Sequence, residues 1–290
     1  MKTFAFLLAP FAALTLSACT QQGDNGAFKA LNDRLDKMDK KLDQIAAGGG
    51  GRGAAPQRPS RPEPDRAKTY AVPVDGDPSE GPADAKVTLV KAYDYACPFC
   101  EKVRPTMDEL RKKYGNDLRI VFKQFVVHPQ VATAGALAFC AAARQGKAVE
   151  MDKLLWDKGF NNHQFDKDAA GEGGASQKCW DSKDGCPVVL GFAGEIGLDK
   201  EKFKADMKDC QQLTQKDMRE LQTLGVGATP SFFVNGRFMS GAMPTDNFVQ
   251  LIDEELKKAN DRVAQGTPAK DYYQQWVIDK GLKTLEAPKQ

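Results

Sequence analysis

Histidine is scarce: His128 and His163 are the only two among 290 residues. A zinc site built on the chain's one Cys-x-x-Cys pair needs two further ligands, and no second such pair supplies them. No resident metal or other cofactor is expected. An excess of charge of one sign is also missing. Lys+Arg number 41 against 39 Asp+Glu, a net charge of +2. That balance argues against a general nucleic-acid binder, which would show a basic run or face. Long apolar runs are missing too. The longest, Phe4–Leu16, is 13 residues, where a membrane-spanning helix needs about 20.

Cysteine, by contrast, is plentiful. Seven residues are more than a reduced cytosolic protein usually carries, and they point to an oxidising, extracytoplasmic address. The N-terminus agrees: Lys2 precedes the Phe4–Leu16 apolar stretch, as in a signal peptide. Leu16-Ser17-Ala18-Cys19 then resembles the lipobox of bacterial lipoproteins. On that reading residues 1–18 are cleaved and Cys19 carries lipid. The resemblance implies a lipid-anchored periplasmic protein, with Thr20 favouring the outer membrane over the inner. An ordinary signal peptide that happens to contain a cysteine is the alternative. A lipid-modified Cys19 leaves six thiols, an even number.

Residues 19–27 read as a short tether. Phe28, Leu31, Leu35, Met38, Leu42 and Ile45 are then spaced 3, 4, 3, 4, 3, a heptad seam. Eighteen residues make a helix of about 27 Å. A lone helix that short is marginal in water, so the seam suggests a self-associating coiled coil and a homo-oligomer. An amphipathic helix packed on the main domain is the alternative. Four consecutive glycines and Pro56, Pro59, Pro62 and Pro64 make 46–69 a Gly/Pro-rich linker. A globular domain is expected over 70–264, with a helical insertion at about 130–224 and a C-terminal tail over 265–290.

Within the domain, Val87–Tyr95 and Arg119–Val127 read as strands around a helix over Cys97–Tyr114, kinked at Pro105. Helices are expected over Ala132–Gly146, Glu150–Lys158, Asp199–Cys210 and Thr214–Leu224. Ser231–Val234 and Arg237–Ser240, joined by Asn235-Gly236, make a hairpin. A last amphipathic helix covers Thr245–Ala264. The order is βαβ, a helical block, then ββα, an α/β fold.

Cys97-Pro98-Phe99-Cys100 lies at the first strand-to-helix junction. A thiol at a helix N-terminus faces unpaired N–H groups and the positive end of the dipole, both of which favour thiolate. Cys97 is therefore the expected catalytic nucleophile. Cys100, one turn on, is the expected resolving thiol. Pro98 removes one N–H and fixes φ. Phe99 adds no charge, so the pair should oxidise less strongly than one with His at that position. Four other cysteines, Cys140, Cys179, Cys186 and Cys210, allow three pairings. Structural bridges 179–186 and 140–210 are favoured, with a second redox pair as the rival reading. Asp94 could accept a proton during turnover, but a turn or salt-bridge role is favoured, and His128 reads as structural.

Tyr93-Asp94-Tyr95-Ala96-Cys97-Pro98-Phe99-Cys100, Lys123-Gln124-Phe125 with His128-Pro129, and Gly227-Ala228-Thr229-Pro230-Ser231-Phe232-Phe233-Val234-Asn235-Gly236 occur in that order. Together they resemble the DsbA-like thiol–disulfide oxidoreductases of the thioredoxin superfamily, over roughly residues 72–262. The resemblance implies a thioredoxin-like fold with a helical insertion. It also implies a cis Pro230 beside Cys97, and a Thr229 backbone offered to an extended substrate. The expected partners are thiols and disulfides of exported proteins and a redox partner protein. The expected function is to form or isomerise disulfides in exported proteins. An oligomeric holdase or binding module with a vestigial Cys-x-x-Cys is the competing reading.

Overall fold

A computed structural model describes residues 34, 37, 38, 40, 41, 63–165 and 178–285. The chain divides into two units, 1–60 and 61–290. In the first, Arg34, Lys37, Met38, Lys40 and Lys41 are helical and exposed. Cys19, the tether, the rest of the heptad seam and the linker up to residue 62 lie outside the described residues.

The second unit is built on a five-stranded sheet. Its strands are β1 (Ser79–Glu80), β2 (Val87–Tyr93), β3 (Leu118–Gln124), β4 (Ser231–Val234) and β5 (Arg237–Ser240), in spatial order β1-β3-β2-β4-β5. Only β2 and β3 run parallel; the other neighbours are antiparallel. Among the described residues seven α-helices accompany them: α1 (Pro98–Lys102), α2 (Arg104–Tyr114), α3 (Pro129–Ala143), α4 (Ala148–Leu154), α5 (Pro187–Glu195), α6 (Lys200–Thr223) and α7 (Thr245–Ala264).

All seven residues of β2 are buried. A near-continuous apolar run is what a central strand covered on both faces requires. Leu89 and Tyr93 face a large core shared with Met107, Leu110, Phe248 and the helical block. Val90 and Ala92 face a smaller one with Tyr70, Val72, Leu221, Phe233 and Phe238. Phe232 meets Phe248 edge-on at 4.9 Å, seating α7 on β4. The Asn235-Gly236 turn has positive φ at both positions (43° and 82°), which strand twist demands of a two-residue hairpin loop. The Asn235 side chain accepts from the Thr88 N–H at 2.8 Å and donates to the Lys86 carbonyl at 3.0 Å, tying the turn to β2. A Cβ at position 236 would collide with the Tyr70 carbonyl.

Several expectations are revised. The helix after Cys97 is interrupted at Val103, because Pro105 lacks the N–H that would continue it. The two helices expected at 199–210 and 214–224 are one, α6, since Gln211, Gln212 and Leu213 contain no breaker. Its N-cap is Asp199, whose carboxylate accepts from Glu201 and Lys202 N–H at 3.0 Å each. β1 and α5 were not foreseen. The linker boundary at 69 and the tail boundary at 265 both move. Arg237 donates to the Arg66 carbonyl, and Leu282 exchanges backbone hydrogen bonds with Thr69 and Ala71 at 2.9 and 2.8 Å. Arg262 stacks 3.7 Å above the Trp276 ring. Residues 63–69 and 269–285 thus pack on the domain.

Candidate redox site

β2 ends at Tyr93, and a short turn delivers Cys97 to the N-cap of α1. Asp94 holds that turn. Its buried carboxylate accepts from Ala96 N–H at 2.6 Å, Val127 N–H at 2.6 Å and His128 N–H at 2.8 Å. His128 Nδ1 lies 3.3 Å from the same carboxylate. Every partner is a donor that needs the carboxylate as acceptor, so of the two readings the geometry matches the turn role. The side chain fastens the loop before Cys97 to the loop that opens α3.

Cys97 takes extended backbone (φ −91°, ψ 116°), with Pro98 in the first turn. Its carbonyl accepts from Cys100 and Glu101 N–H at 3.0 and 3.2 Å, which starts the helix. Neither Cys97 nor Cys100 is in a disulfide. Cys97 is 4% exposed and Cys100 is wholly buried, while Phe99 between them is 58% exposed. The Cys97 thiol is drawn down to about 5, first by the hydrogen bond from Cys100. Burial opposes this, while the Thr229 hydroxyl and the Cys100 and Phe99 N–H groups assist it. Burial drives the Cys100 thiol strongly upward, and the adjacent Cys97 drives it further. Near neutral pH the pair is therefore one thiolate beside one thiol.

The Thr229–Pro230 loop faces this pair, and its peptide bond is cis. The protonated Cys97 thiol donates to the Thr229 carbonyl at 3.4 Å. That oxygen cannot stabilise a thiolate, because it only accepts. The Thr229 hydroxyl can: it is buried and, among the described residues, has no hydrogen-bond partner while the thiol is protonated. Gly227 and Ala228 are exposed beside it. The other four described cysteines are held in bridges of their own. Cys140 of α3 is bonded to Cys210 of α6, and Cys179 to Cys186.

Sequence reasoning passed over Lys91, Tyr95 and Asp152. Lys91 is buried in β2 and its charge reaches Cys100. The Tyr95 hydroxyl bonds Asp152 at 2.7 Å and lies 3.2 Å from that of Tyr93. A lysine inside the apolar run Val87–Tyr93 was the available signal.

A βαβ unit, a helical insertion and a ββα unit on one mixed sheet, with a dithiol where the first strand meets its helix, define a thioredoxin-fold protein. A family model described as thioredoxin matches residues 74–254, and the chain belongs to that family. Its version of the fold is DsbA-like. BdbD from Bacillus subtilis superposes with a TM-score of 0.52 at 19% identity, over 68% of this chain and 100% of that one. Wolbachia pipientis alpha-DsbA1 gives 0.51 at 16% identity, over 66% and 96%. Curated relatives include a Na(+)/H(+) antiporter NhaA from Herminiimonas arsenicoxydans, 32% identical over 56% of this chain. Another, NhaA 1 from Mycobacterium sp. (strain KMS), is 30% identical over 67%. The matched regions span only 23% and 29% of those two proteins.

Proposed function

We propose that the protein exchanges thiols and disulfides with exported proteins, with Cys97 as nucleophile and Cys100 as resolving thiol. The observation that carries this reading is the opposite displacement of two adjacent thiols, Cys97 down to about 5 and Cys100 strongly upward. The thiolate attacks one sulfur of a client disulfide. A Cys97–client bond forms, and the other client sulfur leaves as thiolate. Cys100 gives up its proton and attacks Cys97 Sγ, and the second client thiolate departs. The client gains two electrons and the Cys97–Cys100 pair loses them. Run backwards, the same steps oxidise a client dithiol. If a client thiol displaces Cys97 before Cys100 acts, the outcome is isomerisation with no net electron transfer.

Thr229 and Pro230 support the client. An extended segment lying along Gly227–Thr229 would pair with backbone there and bring its sulfur to Cys97. Pro98 keeps the helix start short of one competing N–H, and exposed Phe99 gives the client an apolar contact. The Cys140–Cys210 and Cys179–Cys186 bridges serve the helical block.

The oxidase-or-isomerase choice turns on the N-terminal unit. The heptad seam over 28–45 supports a homo-oligomer that holds several thiolates around one client, raising their effective concentration. Lipid on Cys19 would place such an assembly on a periplasmic membrane face, the outer membrane by the Thr20 pattern. Insulin reduction tests the chemistry: the protein should be active, and Cys97→Ala inactive. Activity that persists in Cys97→Ala would leave a holdase. Deletion of 20–62, which spares the residues packed on the domain, tests the stalk: it should yield monomers that lose isomerisation of a scrambled substrate and keep dithiol oxidation.

A further inference from the structure

Lys123 is wholly buried near the end of β3, on the same strand face as Val121. Its Nζ lies 2.7 Å from Asp77 Oδ2, 2.8 Å from Asp217 Oδ1 and 2.8 Å from Glu220 Oε2. One ammonium thus serves three carboxylates. They come from two elements: Asp77 from the segment that leads into β1, Asp217 and Glu220 from α6. Glu220 reaches solvent, and Lys216 lies 3.5 Å from its other oxygen. The Asp77 and Asp217 side chains do not. Asp217 Oδ2 accepts from Gln124 N–H at 3.0 Å. Asp77 Oδ1 is buried and, among the described residues, accepts no hydrogen bond. A buried carboxylate oxygen in that condition is costly.

The surrounding charges do not balance the cluster. Lys216 is held between Glu220 and the Asp75 carbonyl, 3.1 Å away. Arg119 of β3 and the exposed Asp75 act on Tyr273, whose hydroxyl bonds the Val72 carbonyl. Lys123, Lys216 and Arg119 therefore stand against Asp75, Asp77, Asp217 and Glu220, and the surplus negative charge falls on the buried pair. Burial, with the like charge of Asp77, pushes the Asp217 carboxyl up to about 7 against the pull of Lys123.

We propose that Asp77 and Asp217 hold one proton between them, and that this proton fastens the 72–78 segment to β3 and α6 as a clasp, tight in acid and looser at neutral pH. With the proton in place, Lys123 faces one buried negative charge of the pair. Without it, two buried carboxylates share one ammonium and repel each other. The proton is a property of the pair rather than of either residue. The folded value lies above the ordinary 3.8, so the stabilisation is full below about pH 4 and is lost as the pH rises through about 7. The clasp lies outside the redox site and does not depend on the reading of the dithiol.

Hydrogen exchange and carboxyl-carbon magnetic resonance of the full, lipid-free chain are the test, with exchange rates corrected for their intrinsic pH dependence. Phe122 N–H donates to the Pro78 carbonyl at 2.9 Å and reports the clasp. Asn235 N–H, bonded to the Thr88 carbonyl at 2.9 Å, is the reference. Protection at Phe122 should fall at least about tenfold from pH 5 to pH 8 while Asn235 does not follow, and one carboxyl of the pair should titrate between pH 6 and 8. Asp77→Asn removes the second charge and sets an NH2 group where no donor stands. It should hold Phe122 protection within about threefold over that range and move the Asp217 titration below pH 6. Protection that is flat in the parent, or that falls equally at both amides, would overturn the proposal. So would a pH dependence that persists in full in Asp77→Asn. Should that variant fail to fold, the parent's carboxyl titration decides: both carboxyls of the pair titrating below pH 5.5 would remove the shared proton.

Discussion

Cys97 and Cys186 stand in nearly the same backbone. Each caps a helix and precedes the proline that opens it, with φ, ψ of −91°, 116° and −95°, 107°. One is a thiol beside a second thiol; the other is closed onto Cys179. A helix N-terminus before proline is therefore not enough to make a redox centre. The partner's position differs first. Cys100 lies inside the helix, one turn on, where its thiol can donate to Cys97. Cys179 precedes Cys186, the N-cap of its helix, by seven residues of sequence. The opposing surface differs second. Cys97 meets Thr229 and the cis Pro230, next to an exposed stretch of backbone. Cys186 is wholly buried. Reactivity follows from what faces the sulfur as much as from the helix beneath it.

The sharpest way to break the comparison is to exchange the cysteines one at a time. Cys97→Ala should cost at least about 1,000-fold in insulin reduction, because no other group replaces a covalent nucleophile. The double change Cys179→Ala/Cys186→Ala should leave that rate within about twofold. It should instead lower stability in urea by about 2 kcal/mol, the loop-closure value for a separation of 7. Removing Cys140–Cys210, which closes a separation of 70, should cost about 4 kcal/mol. A large rate loss in either double variant would mean that electrons pass through the helical block. Cys179→Ala alone sharpens the contrast further. The released Cys186 has the helix but not the loop, and iodoacetamide should label it far more slowly than Cys97.

The Cys97 loop also depends on a residue with no counterpart at Cys186. Asp94 satisfies three backbone N–H groups from two loops. Asp94→Asn keeps one acceptor oxygen and brings an NH2 group against donors. It should cost about 2 kcal/mol in denaturant midpoint and loosen the registry of Cys97 against Thr229. A variant of unchanged stability would show that the turn holds without its carboxylate.

Titration of the same thiol gives the next test. Its folded value, about 5, lies below the ordinary 9. For a depressed group of this kind the stabilisation of the reduced protein is fully present above pH 9 and is lost as pH falls through 5. Alkylation of Cys97 should accordingly reach half its plateau near pH 5 and be flat above about pH 6.5, with Cys100 unlabelled. Half-maximal labelling near pH 8 would remove the basis for assigning the nucleophile.

Local chemistry made part of this legible in the sequence. The hairpin and α7 stand at the residues expected, because Asn235-Gly236 and an amphipathic period are short-range signals. The Cys-Pro-Phe-Cys junction was legible for the same reason. What escaped depends on distance. Lys91 reads as one polar residue in an apolar strand until Tyr93, Phe122 and the α2 and α4 walls close around it. The 269–285 segment carries little periodicity, and only pairing with Thr69 and Ala71, some 210 residues away, gives it a place. α5 contains Gly191 and Gly194, which weaken any helix signal, yet Val189, Phe192 and Ala193 are buried and hold it.

The smallest expected effect lies at Phe99, where the Cys97 loop offers solvent a neutral ring. Phe99→His leaves the packing alone because the position is exposed. An imidazolium there would favour the thiolate, but only while it is protonated, below about pH 6.5. At a separation of roughly 6 Å and partial screening the gain is about 1 kcal/mol, or about 20 to 30 mV for a two-electron couple. Equilibration with glutathione should therefore give a higher reduction potential than the parent at pH 5.5 and an equal one at pH 8. Phe99→Ala should shift neither value. Half a molar salt should erase most of the difference, since the screening length then falls below the separation. A shift of the same size at both pH values would place its origin in packing, and the contrast with Cys186 would no longer rest on electrostatics at the exposed tip of the loop.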